Sequence, residues 1–142
     1  MEAEKILVVD DNKEIVYSIS ELLKYEGYET LKAYDGMEAL DIMERENVDL
    51  ILLDVMMPRM DGWQVCREVR QSSKVPIIML TARSEERDEL QGFALGVDEY
   101  ISKPFSPKIL VARVNAILRR ANVLGGGDEI DAGGIVIDKA EL

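Results

Sequence analysis

Short uninterrupted apolar runs recur along this chain, and each is followed by a stretch in which apolar residues return every three or four positions. The strand-like segments are Lys5–Val9, Glu29–Ala33, Leu50–Leu53, Ile77–Leu80 and Glu99–Ile101, and the uninterrupted apolar runs among them are Ile6–Val9, Leu50–Leu53 and Ile77–Leu80. Runs of this kind mark strands buried on both faces of a parallel sheet. The periodic stretches predict helices over Lys13–Glu26, Gly36–Glu46, Asp61–Gln71, Ser84–Leu95 and Ser106–Arg120. In the first helix Ile15, Ile19, Leu22 and Leu23 form the apolar stripe, and Gly27 supplies the stop. In the last, Ile109, Leu110, Val114, Ile117 and Leu118 form the stripe, and Arg119 and Arg120 are placed to complement the dipole at the C-terminal end. Strands alternating with helices imply βαβ units, hence an α/β fold with a doubly wound parallel sheet of five strands.

Near residue 122 the texture changes. Leu124–Glu129 is Gly-rich and polar and reads as a linker. Gly133–Asp138 then resembles a short strand, which cannot bury its own face alone. The expected organisation is one domain over residues 1–122, with 123–142 forming a linker and the first strand of a truncated C-terminal domain.

Composition narrows the function classes. The chain has 142 residues, 47% hydrophobic and 32% charged, which fits one globular domain with a real core. A formal net charge of −11 argues against direct binding of this segment to nucleic acid. The chain has one cysteine, Cys66, so no internal disulfide forms, and its place in a helical pattern makes it a core residue. Having no histidine, the chain has no imidazole acid–base chemistry or imidazole metal ligation. No apolar stretch reaches membrane-spanning length, and the acidic start Met1-Glu2-Ala3-Glu4 is unlike a signal peptide, so a cytoplasmic location is expected.

The chemistry gathers at the carboxyl ends of the strands, where open α/β sheets place their ligands. Asp10 and Asp11 follow the first strand, Asp54 the third, Thr81 the fourth and Lys103 the fifth. If the first and third strands are neighbours, three carboxylates share one rim, and a cation must neutralise them. Oxygen-only ligands favour a hard ion, Mg²⁺ or Mn²⁺. Each aspartate taken singly also suits a helix cap or a turn, and Thr81 suits an N-cap. Lys103 can pair with a carboxylate or a phosphoryl group, and Pro104 is a site where a cis peptide would turn it inward. A Gly-rich nucleotide loop, a P-loop and a nucleophile elbow are all missing, which leaves aspartate as the nucleophile.

These residues resemble the receiver domain of two-component response regulators over about residues 4–121. The matching pieces are Ile6–Asp11, Leu53–Gly62, Leu80–Arg83 and Gly96–Phe105. The resemblance implies a flavodoxin-like (βα)5 fold with strand order 2-1-3-4-5. It implies that Asp54 accepts a phosphoryl group from a sensor histidine kinase. It also implies that Asp11, Asp54 and the Met56 backbone carbonyl ligate Mg²⁺, with Asp10 in support. Thr81 and Lys103 would contact the phosphoryl oxygens, and Tyr100 would be the switch aromatic. Lys103–Lys108, Leu110–Val114 and Arg119-Arg120 are similar to the OmpR/PhoB type, whose C-terminal winged helix binds DNA. Members of that type dimerise when phosphorylated through the fourth helix, fifth strand and fifth helix, where Arg87, Glu89, Asp98, Glu99, Arg113 and Arg120 are candidate pairing charges. The implied role is regulatory rather than that of an enzyme acting on other molecules. The alternatives are a stand-alone receiver working through protein contacts and an aspartyl-phosphate phosphatase. The side chain of Met56 cannot orient attacking water, and Arg83 is long enough to shield the site, so slow self-dephosphorylation is expected. Trp63 is expected to report Mg²⁺ binding by its fluorescence.

Overall fold

The computed structural model describes residues 3–81, 96–103 and 105–126. Its elements are β1 (Lys5–Val9), α1 (Lys13–Tyr25), β2 (Glu29–Ala33), α2 (Gly36–Arg45), β3 (Leu50–Asp54), α3 (Gly62–Arg70), β4 (Ile77–Thr81), β5 (Glu99–Ser102) and α4 (Pro107–Gly126). The helix expected over Ser84–Leu95 lies outside the described residues, so α4 is the last of the expected helices. All pairings are parallel and the strand order is 2-1-3-4-5, as the resemblance implied.

Alternation along the strands sorts the core into two layers. Leu7, Val9, Ile51, Leu53, Ile77 and Met79 face one side, where Val65, Cys66 and Val69 of α3 and Ala39 of α2 cover them. Ile6, Val8, Leu50, Leu52, Ile78 and Leu80 face the other, against Val16, Ile19 and Leu23 of α1 and Leu110, Val114 and Leu118 of α4. β3 and β4 are buried throughout because helices cover both faces, which is why their sequences show no polar alternation.

The helix ends follow local chemistry. Asn12 caps α1, its side chain accepting from the Glu14 and Ile15 N–H groups. Asp35 caps α2 through Glu38 N–H. Asp61 and Gln64 form a reciprocal capping box on α3. Gly27, at φ 99°, turns the chain out of α1 in a conformation that costs a side-chain-bearing residue energy.

The last helix is longer than the sequence pattern suggested. It runs to Gly126, through the beginning of the expected linker, because Ala121 and Leu124 carry helical propensity past Arg120. Arg119 and Arg120 are therefore not in its final turn. Arg120 instead approaches Asp98 at the foot of β5, with 3.9 Å between charged atoms. At the same end of the sheet Arg70 ties three elements together. It donates to the carbonyls of Val75 and Gly96, each at 2.8 Å.

Candidate functional site

β3, β4 and β5 each extend one position beyond the run that predicts them, whereas β1 ends at Val9, just before Asp10. Asp54 is the last residue of β3 and pairs in register with Leu80. Thr81 ends β4 and pairs with Ser102, the last residue of β5. The ladder continues further: Val55 N–H donates to Leu80 O at 3.0 Å, and Lys103 N–H donates to Thr81 O at 2.8 Å. The backbone of the rim is thus held by sheet hydrogen bonds, not by loops.

The topology brings the expected carboxylates together. β1 lies between β2 and β3, so Asp10, which follows β1, comes beside Asp54. Asp10, Asp11 and Asp54 each offer an oxygen within 4.8 Å of the others. Asp10 and Asp54 are buried and Asp11 is exposed. None of the three caps α1, because Asn12 does that work. The Asn12 N–H donates to Asp10 Oδ1 at 3.0 Å and orients that carboxylate.

Lys103 closes the cluster from β5. Its Nζ donates to Asp10 Oδ2 at 2.8 Å and to Asp54 Oδ1 at 3.1 Å. Burial disfavours the ammonium, but the hydrogen bond with Asp10 and the attraction of Asp54 outweigh that cost and hold Lys103 above the usual lysine range. Asp54 moves the other way from an ordinary salt-bridged acid. Burial first, and the Asp10 carboxylate second, push it up to about 6, against the pull of Lys103 and of the Met56 N–H. One ammonium does not neutralise this site, and the electrostatics favour a further positive charge. The three-carboxylate donor set fits a hard divalent cation.

Two features escaped the sequence pattern. Gly62 begins α3 where a Cβ would stand 2.4 Å from the Asp54 carbonyl oxygen. Its N–H donates to Val55 O at 2.9 Å. The second is an aromatic pair, Trp63 with Tyr100, whose ring centroids lie 6.2 Å apart. Thr81 is 6% exposed at the rim. Pro104, Arg83, Arg87 and Glu89 lie outside the described residues. Of the charges expected on a dimer face, Arg113 pairs with Glu99 at 3.4 Å and Arg120 with Asp98, both within this chain.

Residues 6–115 match the response regulator receiver domain. The chain belongs to that family. A probable transcriptional regulator, ycf27, from Porphyridium aerugineum is 47% identical over 136 residues, which are 96% of this chain and 57% of that protein. This receiver therefore spans little more than half the length of that curated relative. A CheY-like receiver domain protein from Methanospirillum hungatei superposes with a TM-score of 0.83 at 29% identity, covering 87% of this chain and all (100%) of that one. The response regulator DrrB, a Thermotoga maritima OmpR/PhoB homologue, gives 0.77 at 36% identity, covering 84% of this chain and 54% of its own. Among the described residues of the receiver, no helix is long and apolar enough to cross a membrane.

Proposed function

We propose that this receiver takes a phosphoryl group onto Asp54 from a sensor histidine kinase and passes the change to a transcription-regulating output. The observation that carries the reading is the Lys103 ammonium bound to both Asp10 and Asp54 inside a buried carboxylate cluster. Asp10, Asp11, Asp54 and the Met56 carbonyl are the groups that would hold Mg²⁺ or Mn²⁺. When bound, the ion supplies charge neutralisation for the acceptor and the incoming phosphoryl oxygens.

The remaining work belongs to the chain's own residues. The Asp54 carboxylate forms a bond to phosphorus as the phosphorus–nitrogen bond of a phosphohistidine breaks, its electron pair returning to the imidazole. Lys103, already within reach of Asp54, then pairs with a phosphoryl oxygen. Thr81, one strand away, donates its hydroxyl to another, and Tyr100 responds as the switch aromatic. Charge placed at one site thereby biases a two-state element elsewhere. On this reading the protein promotes its own phosphorylation and dephosphorylation and acts on no other substrate. It works in the cytoplasm.

The output is a DNA-binding domain of winged-helix type, preceded by a linker within residues 123–142. Its affinity for DNA rises when phosphorylated receivers pair, because two linked sites bind as one. The relative's description as a transcriptional regulator and the likeness to an OmpR/PhoB homologue support this. Intact-mass spectrometry after incubation with acetyl phosphate and Mg²⁺ tests the core of the reading. One phosphoryl adduct, absent in Asp54→Ala and with EDTA, is expected. No adduct on the wild-type chain would leave a receiver acting through protein contacts alone.

A further inference from the structure

Trp63 and Tyr100 meet on the sheet face that α3 covers. Their planes are tilted by 53° at a centroid separation of 6.2 Å, a geometry aromatic pairs favour. Trp63 is 7% exposed and lies in one cluster with Val55, Met57 and Met79, and the half-buried Tyr100 packs on the same cluster. The backbone that leads into Trp63 is closely placed. Gly62, just before it, is pressed against the Asp54 carbonyl and hydrogen-bonded to Val55. Tyr100 stands in register with Met79, two residues ahead of the Ser102–Thr81 pair. One ring thus belongs to α3, whose first residue is hydrogen-bonded to Val55 just past Asp54, and the other to the strand that leads into Lys103.

We infer that Trp63 is a positioning residue that seats Tyr100 inward and so biases the receiver towards its phosphorylated arrangement before a phosphoryl group arrives. The inference rests on the phosphoacceptor reading and deepens it by naming what sets the bias of the switch. Packing that favours one of two states raises the apparent affinity of any ligand that prefers that state.

Beryllofluoride with Mg²⁺, a mimic of the phosphoryl group, provides the test. Its binding is titrated by fluorine NMR on the full chain and on Trp63→Leu, Trp63→Phe, Tyr100→Leu and the Leu/Leu double variant, each checked for folding by thermal melting. Trp63→Leu should bind about two- to tenfold more weakly, the size expected from losing an aromatic pair. Trp63→Phe should recover most of the loss, and the double variant should bind no worse than either single one. Trp63 is the single tryptophan of the chain, so its emission reads the contact directly, and Tyr100→Leu should shift that emission without any ligand. Unchanged affinity in a folded Trp63→Leu, or losses that add in the double variant, would overturn the positioning role and leave the phosphoacceptor reading intact. Should Trp63→Leu not fold, Tyr100→Leu with unaltered emission and affinity would overturn it equally. A wild-type chain that binds no beryllofluoride would remove both.

Discussion

The first residue of α3, Gly62, lies so close to Asp54 that a methyl group on it would collide with the Asp54 carbonyl oxygen at 2.4 Å. The obstacle is backbone, which cannot rotate aside. Gly62→Ala should therefore cost roughly 1–3 kcal/mol of stability, the range for overpacking, and should also displace Asp54. Urea denaturation reads the first effect and intact mass after acetyl phosphate the second. A variant as stable and as readily phosphorylated as wild type would mean that the α3 start yields without moving β3.

Removing the Asp54 charge should stabilise the fold. Asp54 sits beside the Asp10 carboxylate in a buried place, and one lysine serves both. Asp54→Asn removes the like-charge repulsion and keeps a side chain of similar shape. A gain on the order of 1–2 kcal/mol at neutral pH, without added Mg²⁺, is the expected result of chemical denaturation.

The same carboxylate predicts a pH dependence whose sign is fixed. Asp54 titrates near 3.8 when unfolded and is raised to about 6 in the fold, so between those values the folded state binds the extra proton. Stability contributed by this group is then present at low pH and lost as pH rises through about 6, flat above it. The difference in unfolding free energy between Asp54→Asn and wild type should grow between about pH 4 and pH 6, then level off. A difference that shrank with rising pH would show that Lys103 dominates and that Asp54 is an ordinary paired acid.

Divalent cation should relieve the strain among the acids. Mg²⁺ should raise the melting temperature of wild type, by about 2.7 kcal/mol of stabilisation when present at a hundred times its dissociation constant. Asp11→Ala should lose most of that gain. Asp11 is the exposed member of the three, so its removal leaves the buried Asp10–Lys103–Asp54 bonds in place.

At the opposite end of the sheet, Arg70→Met should cost about 1–3 kcal/mol without touching the chemistry, since it leaves the Val75 and Gly96 carbonyls short of a donor. Unchanged phosphorylation beside reduced thermal stability is the expected pairing of results.

Much of this was legible in the sequence because both-face burial leaves a plain signature. Val9 and Leu53 end runs with no polar interruption, and β1 and β3 lie where those runs predict. The strands differ from expectation at their last residues, since Asp54, Thr81 and Ser102 belong to the hydrogen-bonded ladder despite their polar side chains. Hydrophobicity cannot show that, because their backbones pair while their side chains serve the rim. Asp10, Asp11, Asp54 and Lys103 were found by position at strand ends, and the strand order then brought them together. Asn12 is not singled out as the cap because the adjoining Asp10 and Asp11 suit that task equally, and only the fold divides the tasks. The Trp63–Tyr100 pair joins residues far apart in the chain, and no local pattern announces it. The overrun of α4 past Arg120 reflects weak punctuation, with glycines tolerated in a final turn that other propensities carry forward.

The hydrogen-bonded rim has one more consequence. Because Val55 N–H reaches Leu80 O and Lys103 N–H reaches Thr81 O, neighbouring strand ends share a common footing like stones in a course of masonry. No single stone shifts without its neighbours. A change of charge at Asp54 therefore meets Lys103 across backbone that the sheet itself ties together.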